Sequence, residues 1–121
     1  MNWTRLLVFF AVLAAYLLLK HSGQVSAKSA RDLLKNGALL IDVRTAAEFS
    51  SGHLQDANNI PLDEIETALP LRVKDKSQAL LLHCQSGMRS GAAKRQLKAL
   101  GYANSHNLGS YARAREIVKT R

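Results

Sequence analysis

Apolar residues occur along this chain in short runs that alternate between strand length and helical spacing, with polar turns between them. Glycines follow two of the helical runs directly, at Gly37 and Gly101, which is typical of helix C-termini. Strands are predicted at residues 39–43, 79–83 and 104–108 with an extended piece at Asn59-Ile60, and helices at 27–34, 63–69, 90–100 and 111–119. This alternation predicts an α/β fold with a parallel sheet flanked by helices.

Two of the predicted helices carry capping signals at their start. Ser26 stands where the N-cap of the helix at residue 27 is expected. Asp63 and Glu66 have the spacing of a capping box. We therefore expect these two helices to begin at these residues.

The most apolar run is LLVFFAVLAAYLLL, from Leu6 to Leu19, which has no charged residue and is flanked by Arg5 and Lys20. A membrane-spanning helix needs roughly 17 to 25 residues, and Trp3 extends the run to the lower end of that range. The run therefore predicts an apolar N-terminal helix that serves as a single membrane anchor.

A secretory signal segment is the alternative, because Val25-Ser26-Ala27 is typical of the small-residue site at which signal peptidases cut. Cleavage there would leave a periplasmic protein. Since a cut after Ala27 would remove the helix cap of Ser26, an uncleaved anchor is favoured.

A polar stretch at residues 20–24 separates the apolar run from the rest of the chain and is predicted to be a linker. The chain of 121 residues then leaves room for one domain with a core of its own. We predict an anchor or signal segment with its linker at residues 1–24 and one domain at residues 25–121.

The single cysteine, Cys84, follows a strand-length apolar run and opens the loop CQSGMRS, after which a helical run begins. A strand-to-helix turn directs backbone N–H groups at one point, and the helix dipole adds positive charge there. Both features favour a thiolate over a thiol, which makes Cys84 a candidate nucleophile. A buried packing role is the alternative, but the spacing of the loop favours a functional one.

The rest of the loop has the properties of an anion cradle. Gly87 can adopt the positive φ that a tightly curled loop needs, and Arg89 offers a planar fork of donors to an oxyanion. The residues predicted to bind substrate are Gln85, Ser86, Gly87, Met88, Arg89 and Ser90.

The stretch HCQSGMRS resembles the active-site loop of single-domain rhodaneses, which are thiosulfate and related sulfurtransferases. A second stretch agrees with the upstream signature of that family through Ile41-Asp42-Val43-Arg44, Gly52-His53-Leu54 and Asn59-Ile60-Pro61-Leu62. The resemblance covers about residues 25 to 119 and is closest to the small phage-shock-type rhodaneses of bacterial envelopes. It implies a rhodanese-like fold.

The chain departs from the family pattern at two places. Near its end, the family usually has paired glycines followed by a tryptophan, where this chain has Gly109, Ser110 and Tyr111. These residues are expected to narrow or repolarise one wall of the pocket. Asp56 stands where glycine is common, and we expect a turn there because aspartate tolerates turn conformations.

The resemblance implies a sulfurtransferase that moves a sulfane sulfur from thiosulfate or a related donor to a thiol or cyanide acceptor through a Cys84 persulfide. Backbone amides from Gln85 to Arg89 would hold the charge of the persulfide. Arg89 would orient the sulfonate oxygens of the donor, and Ser86 and Ser90 would donate hydroxyl hydrogen bonds. The alternative is a persulfide carrier or sensing module at the membrane, without turnover.

Other polar residues are predicted to be structural. His83 should point away from the nucleophile because side chains alternate along a strand, and His53, Asp42 and Arg44 should tie loops to the end of a strand. The four histidines and one cysteine show no metal-ligand spacing, so no metal site is expected. The sulfur transfer that the resemblance implies also requires no organic cofactor. The loop is also one residue shorter than that of cysteine-dependent phosphatases, which argues against that activity.

The net charge of +8 makes the chain clearly basic, with Lys94, Arg95 and Lys98 on the helix behind the loop. No base-stacking aromatic motif accompanies these charges, so we predict no nucleic-acid partner. A basic field would instead attract thiosulfate dianions, acidic proteins or anionic lipids.

The predicted partners are a small-molecule sulfur donor, a thiol acceptor or thiol-carrier protein, and a bacterial-type cell membrane contacted by the N-terminal segment. We expect a monomer. The side of the membrane stays open, because basic residues after the apolar run favour the cytoplasm whereas the envelope resemblance favours the periplasm.

Overall fold

The structure is a computed structural model that describes the backbone of residues 2–120 and the side chains of residues 2–18 and 23–120. The outermost residues of the two predicted segments, Met1 and Arg121, lie outside the described residues. The helices are α1 (Trp3–Ser22), α2 (Ala27–Lys35), α3 (Ala46–Ser50), α4 (Ile65–Arg72), α5 (Met88–Ala99) and α6 (Tyr111–Lys119). The strands are β1 (Leu39–Asp42), β2 (Asn58–Asn59), β3 (Leu80–His83) and β4 (Ser105–Gly109), and a short 3₁₀ helix, Leu62–Glu64, precedes α4.

The four strands form one parallel sheet in the order β2-β1-β3-β4. The two central strands pair along their whole length, from Leu39 with Leu80 to Asp42 with His83. Parallel sheets are covered on both faces, and accordingly every residue of β3 is buried. The predicted α/β fold with a parallel sheet flanked by helices is confirmed.

The core lies in two layers, one on each face of the sheet. Leu80 and Leu82 point into the layer that also contains Leu97 and Tyr102, under α4 and α5. Leu81 points the other way and packs with Ala30 of α2 and Ile117 of α6. Alternation along β3 thus fills both layers, and the loop after this strand starts from a rigid support.

The helix α3 was not predicted, and it begins with a capping box. Thr45 Oγ1 accepts a hydrogen bond from the Glu48 amide at 3.2 Å, and Glu48 Oε1 accepts one from the Thr45 amide at 3.1 Å. The capping box predicted from Asp63 and Glu66 is wrong. The chain makes a 3₁₀ turn there, and α4 begins at Ile65 without a side-chain cap.

One predicted helix cap and one predicted turn are confirmed. Ser26 caps α2, because its side chain accepts a hydrogen bond from the Ser29 amide. Asp56 has a φ of 67°, in the left-handed region that favours glycine. The start of α5 differs from expectation, since the helix begins at Met88 rather than at residue 90.

The apolar N-terminal run is helical, as predicted, within α1. The predicted membrane-spanning anchor is not supported, because no helix in the described part of the chain is both long enough and apolar enough to cross a membrane. Most of the large apolar side chains described in α1 are exposed, among them Trp3 at 73% and Leu18 at 70%.

The end of the predicted linker and Val25, the first residue of the predicted domain, contact α5, β4 and α6. Gly23 O accepts a hydrogen bond from Lys94 Nζ at 3.1 Å, and the Val25 amide donates to Asn107 O at 2.9 Å. Arg113 Nη2 donates to Val25 O at 2.6 Å. Residues 23–25 therefore run alongside β4 and come close to the cysteine loop.

Candidate active site

The cysteine loop lies at the carboxyl end of β3, one of the two central strands of the sheet. The Cys84 amide donates a hydrogen bond to Gly109 O at 3.2 Å, which ties the start of the loop to the end of β4. Gly87 has a φ of 98°, as predicted, and α5 begins at the next residue. Ligands in open α/β sheets bind at this edge.

The loop directs several donors at the sulfur of Cys84. The Gly87 amide lies 3.0 Å from Sγ, and both the amide and the hydroxyl of Ser90 lie 3.5 Å from it. Burial raises the pKa of the thiol, but hydrogen bonds from the Ser90 hydroxyl and from the amides of Ser90, Gly87 and Ser86 lower it by more. The pKa of Cys84 therefore lies below its ordinary value, which favours the thiolate.

The same sulfur is closed off from solvent. Cys84 has no exposed surface and belongs to the apolar layer that contains Leu82 and Ala93. Reactive cysteines are usually exposed in part, so the accessibility expected of a nucleophile is not found in this conformation.

Asn107 is a site residue that the sequence did not indicate. Its Oδ1 accepts hydrogen bonds from the Ser90 hydroxyl at 2.7 Å and from the Gly109 amide at 2.9 Å, while its Nδ2 donates to Gly87 O at 3.2 Å. It thus ties β4 to both ends of the sulfur cradle. Its place next to the end of a predicted strand is the one signal that points to it.

The Ser90 hydroxyl has a single hydrogen and several acceptors within reach. With a neutral thiol, that hydrogen belongs with Asn107 Oδ1 at 2.7 Å, because Sγ is a weak acceptor 3.5 Å away. A thiolate is a much stronger acceptor and would draw the hydrogen to itself. Asn107 still retains the Gly109 amide as a donor in that case, so the exchange leaves no buried group unpaired.

Arg89 is engaged by a carboxylate rather than directed at the sulfur. Its Nη1 and Nη2 lie 2.7 Å and 3.0 Å from the two carboxylate oxygens of Glu48 on α3. The hydrogen bonds from Arg89 and Thr45 lower the pKa of Glu48 to about 2. An oxyanion that binds Arg89 must therefore compete with Glu48, another residue that the sequence did not single out for the site.

The remaining predicted loop residues divide into backbone and surface contributors. Ser86 supplies its amide to the sulfur, and it forms a β-bridge with Ser110. Gln85 and Met88 are exposed, and Gln85 O accepts a hydrogen bond from the Tyr111 amide at 3.3 Å. Of the predicted binding residues, Ser86, Gly87 and Ser90 are thus the ones that contact Cys84.

The residues predicted to be structural support the site from behind. Asp42 and Arg44 form a buried ion pair at 2.8 Å, and Arg44 also donates to Gly52 O at 2.8 Å. His83 is fully buried with its Nε2 3.6 Å from Asp42 Oδ2, and burial lowers its pKa more than Asp42 raises it. The two ring nitrogens of His83 lie near Asp42 Oδ2 and Cys84 O rather than near Sγ, so the imidazole is not placed to take a proton from the Cys84 thiol.

Two further predictions concern loops near this edge. The ring of His53 stacks on Phe49 at 3.8 Å, and its Nδ1 lies 2.9 Å from Phe49 O, the loop contact that was expected. Ser110 caps α6, and the ring of Tyr111 lies 4.7 Å from the Arg44 guanidinium. Ser110 and Tyr111, which stand where the family usually has glycine and tryptophan, therefore have structural contacts. Ser110 caps α6, and Tyr111 contacts Arg44 of the buried ion pair. Among the described side chains, at residues 2–18 and 23–120, no group of three potential ligands could hold a metal ion.

The parallel sheet ends in a loop whose N–H groups surround a cysteine sulfur and whose glycine has a positive φ. These features together define a class of cysteine-dependent α/β domains. The chain belongs to the rhodanese family, because the family model of the rhodanese-like domain matches residues 26–113. The chain is 38% identical over 69 residues to the thiosulfate sulfurtransferase PspE of Escherichia coli, an alignment that covers 57% of this chain and 66% of PspE.

Human relatives resemble the chain over more of its length. It is 34% identical over 101 residues to the human thiosulfate:glutathione sulfurtransferase, which covers 72% of this chain and 88% of that protein. The solved structure of a human single-domain sulfurtransferase superposes with a TM-score of 0.66 at 30% identity and covers 78% of this chain and 96% of that one. The family and the fold are thereby established.

Removing the Ser90 hydroxyl should destabilise the Cys84 thiolate. A hydrogen bond to a charged group contributes about 1.5–3 kcal/mol, so Ser90→Ala should slow the reaction of Cys84 with iodoacetamide at pH 7 by about tenfold or more and move its pH midpoint upward. Ser86→Ala is the matched control, because Ser86 contributes its amide and not its hydroxyl. Equal midpoints in Ser90→Ala and the unsubstituted protein would contradict this role of the hydroxyl.

Proposed function

We propose that the protein is a thiosulfate sulfurtransferase, which moves a sulfane sulfur from thiosulfate or a related donor to a thiol or cyanide acceptor. The observation that carries this proposal is the convergence of the Gly87 and Ser90 donors on Sγ of Cys84, at 3.0 Å and 3.5 Å. Such a cradle stabilises a sulfur anion before and after transfer. The names of PspE and of the human thiosulfate:glutathione sulfurtransferase support the same activity.

In the first step, the Cys84 thiolate attacks the outer sulfur of thiosulfate. A bond forms between Sγ and that sulfur, the sulfur–sulfur bond of thiosulfate breaks, and sulfite leaves with the electron pair. In the second step, a thiolate or cyanide attacks the outer sulfur of the persulfide, and the Cys84 thiolate is released. The two steps need no external oxidant, metal or organic cofactor.

The loop residues have separate roles in this proposal. The amides of Gln85, Ser86, Gly87, Met88 and Arg89 and the hydroxyl of Ser90 surround the persulfide. The Arg89 guanidinium first releases the carboxylate of Glu48. It then binds and orients the sulfonate oxygens of the donor. Because Cys84 is fully buried, this exchange accompanies an opening of the loop.

A persulfide carrier or sensing module at the membrane is the second candidate function, and the burial of Cys84 favours it. A sulfur that is closed off from solvent is suited to a partner, such as a thiol-carrier protein, that opens the loop on contact. In both functions the protein acts as a monomer and without nucleic acid.

Exposure to thiosulfate should leave one extra sulfur on the protein. The intact mass should rise by about 32 Da, the mass of a persulfide sulfur, and Cys84→Ser should abolish this change. Steady-state formation of thiocyanate from thiosulfate and cyanide then distinguishes an enzyme from a carrier, because a carrier gains the mass without turnover. A protein that gains no mass with thiosulfate or with any other sulfane donor would contradict both functions.

Neutralising Glu48 should strengthen the binding of the donor. Glu48→Gln retains a capping residue for α3 but removes the charge that holds Arg89. Exposed ion pairs contribute about 0.2–1 kcal/mol, so the KM for thiosulfate should fall by up to about fivefold. Glu66→Gln, which removes an exposed carboxylate on α4, is the matched control. A KM that rises in Glu48→Gln would show that the ion pair positions Arg89 for the donor instead of competing with it.

We also propose that α1 associates the protein with a bacterial-type cell membrane. The exposed side chains of Trp3, Phe9 and Phe10 form an apolar surface, and the basic domain would be attracted to anionic head groups. A signal segment that is removed, to leave a periplasmic protein, is the alternative. The contacts of Val25 with Asn107 and Arg113 favour the uncleaved chain, because a cut after Ala27 would remove them.

Membrane association can be tested by fractionating cells that express the full chain. The protein should sediment with membranes, remain there at high salt and be released by detergent, because the apolar contact is insensitive to salt. Deletion of residues 2–18 should move it to the supernatant. A mature N-terminus beyond residue 27, measured by mass spectrometry, would show that the segment is a cleaved signal.

A further inference from the structure

A cavity of about 430 Å³ lies between α1 and α5, separate from the site at the sulfur. This volume is within the usual range of small-molecule sites, about 300–1,000 Å³. Neither Cys84 nor Arg89 lines the cavity, so the proposed sulfur transfer does not use it. The larger side chains that line it are those of Tyr16, Gln24, Met88, Lys94 and Arg95.

One face of α5 forms a wall of the cavity. Met88, Gly91 and Lys94 follow one another at intervals of three residues, and Arg95 comes four residues after Gly91. Residues at these spacings lie on the same side of a helix. Because Gly91 has no side chain, space is left beside the two cations, and Arg95 Nη1 lies 3.8 Å from the position that a Cβ at Gly91 would occupy.

The cavity is positively charged. Lys94 and Arg95 line it, no acidic residue does, and the ion pairs between described side chains include neither of them. Burial and the neighbouring charges of Lys98 and Arg95 lower the pKa of Lys94. Lys94 Nζ donates one hydrogen to Gly23 O at 3.1 Å, so two more remain for a ligand. An anion in the cavity would therefore compensate both charges.

An apolar surface of α1 continues from the cavity. Tyr16 lines the cavity, and Leu13, Val12 and Phe9 stand three, four and seven residues before it, on the same side of the helix. All four side chains are exposed, so the described part of the chain leaves this surface uncovered. Tyrosine rings are typical of the level at which lipid headgroups meet acyl chains. The cations thus lie at one end of an uncovered apolar surface.

We propose that this cavity binds the headgroup phosphate of an anionic phospholipid. The phosphate contacts Lys94 and Arg95, and the acyl chains lie along Leu13 and Phe9 of α1. This inference rests on the proposed association of α1 with a membrane and adds the class of lipid that is recognised. A free phosphate ester would satisfy the same cations, but it would leave the apolar surface uncovered, which favours the lipid.

The binding of the full chain to vesicles tests this site. The vesicles consist of phosphatidylcholine alone, or of phosphatidylcholine and phosphatidylglycerol at about four to one, so that only the second kind is negatively charged. The protein should bind the anionic vesicles about fivefold more tightly or better. This preference should persist at about 1 M salt, because exposed charges are then screened beyond about 3 Å whereas a contact inside a cavity is screened much less.

Two substitutions should remove the preference by different routes. Arg95→Gln removes a charge from the cavity, and Gly91→Leu retains both cations but fills the space beside them. Both variants should bind neutral vesicles as the unsubstituted protein does. Lys98→Gln is the matched control, because it removes a charge from the same helix outside the cavity, and it should retain the preference at high salt.

A preference that disappears at high salt, or that Lys98→Gln loses as fully as Arg95→Gln, would show a general basic field and overturn the proposal. Displacement from anionic vesicles by an equal concentration of free glycerol phosphate would assign the cavity to a soluble ester and overturn it also. Equal binding to both kinds of vesicle would refute the lipid site but leave the membrane association of α1 intact. Salt-resistant binding to anionic vesicles alone would support the site and contradict an apolar association through α1.

Discussion

The N–H donors of the loop that opens α5 compensate the burial of Cys84 and determine the rest of the site. A buried sulfur anion is costly unless donors surround it, and the amides of Gly87 and Ser90 supply them at 3.0 Å and 3.5 Å. Gly87 can contribute its amide because it adopts a φ of 98°, and a Cβ at that position would come within 3.3 Å of Gln24. The conformation of one glycine therefore makes the cradle.

Other parts of the fold hold this arrangement in place. The pairing of β3 with β4 brings Asn107 to the loop, where it fixes the Ser90 hydroxyl and Gly87 O. On the other side, α3 presents Glu48 to Arg89. In the proposed function, access to the sulfur and binding of the donor would be coupled, because both involve the same short loop.

Much of the fold and of the cysteine loop could be predicted from the sequence, because the sequence patterns that indicate them are local. The strands, the Ser26 cap and the left-handed Gly87 follow from apolar periodicity and from residue types with strong backbone preferences. The cysteine followed by a glycine and an arginine was enough to indicate the cradle. These features depend on residues that are near one another in the chain.

The missed features depend on contacts between distant segments. Asn107 and Ser90 are neighbours because β4 pairs with β3, and Glu48 meets Arg89 because the short helix α3 reaches the loop. No periodicity marks a helix as short as Ala46–Ser50. The burial of Cys84, which the sequence allowed as the alternative to a functional role, depends on the apolar layer that it shares with Leu82 and Ala93.

The central claim is that these amides hold a charged sulfur, and an NMR pH titration of the ¹⁵N-labelled protein tests it most directly. The amide protons of Gly87 and Ser90 should both shift as Cys84 ionises, with one common midpoint below the ordinary pKa of a thiol, and the shift should vanish in Cys84→Ser. Amide resonances that do not respond, or a midpoint at or above the ordinary thiol pKa, would contradict the account.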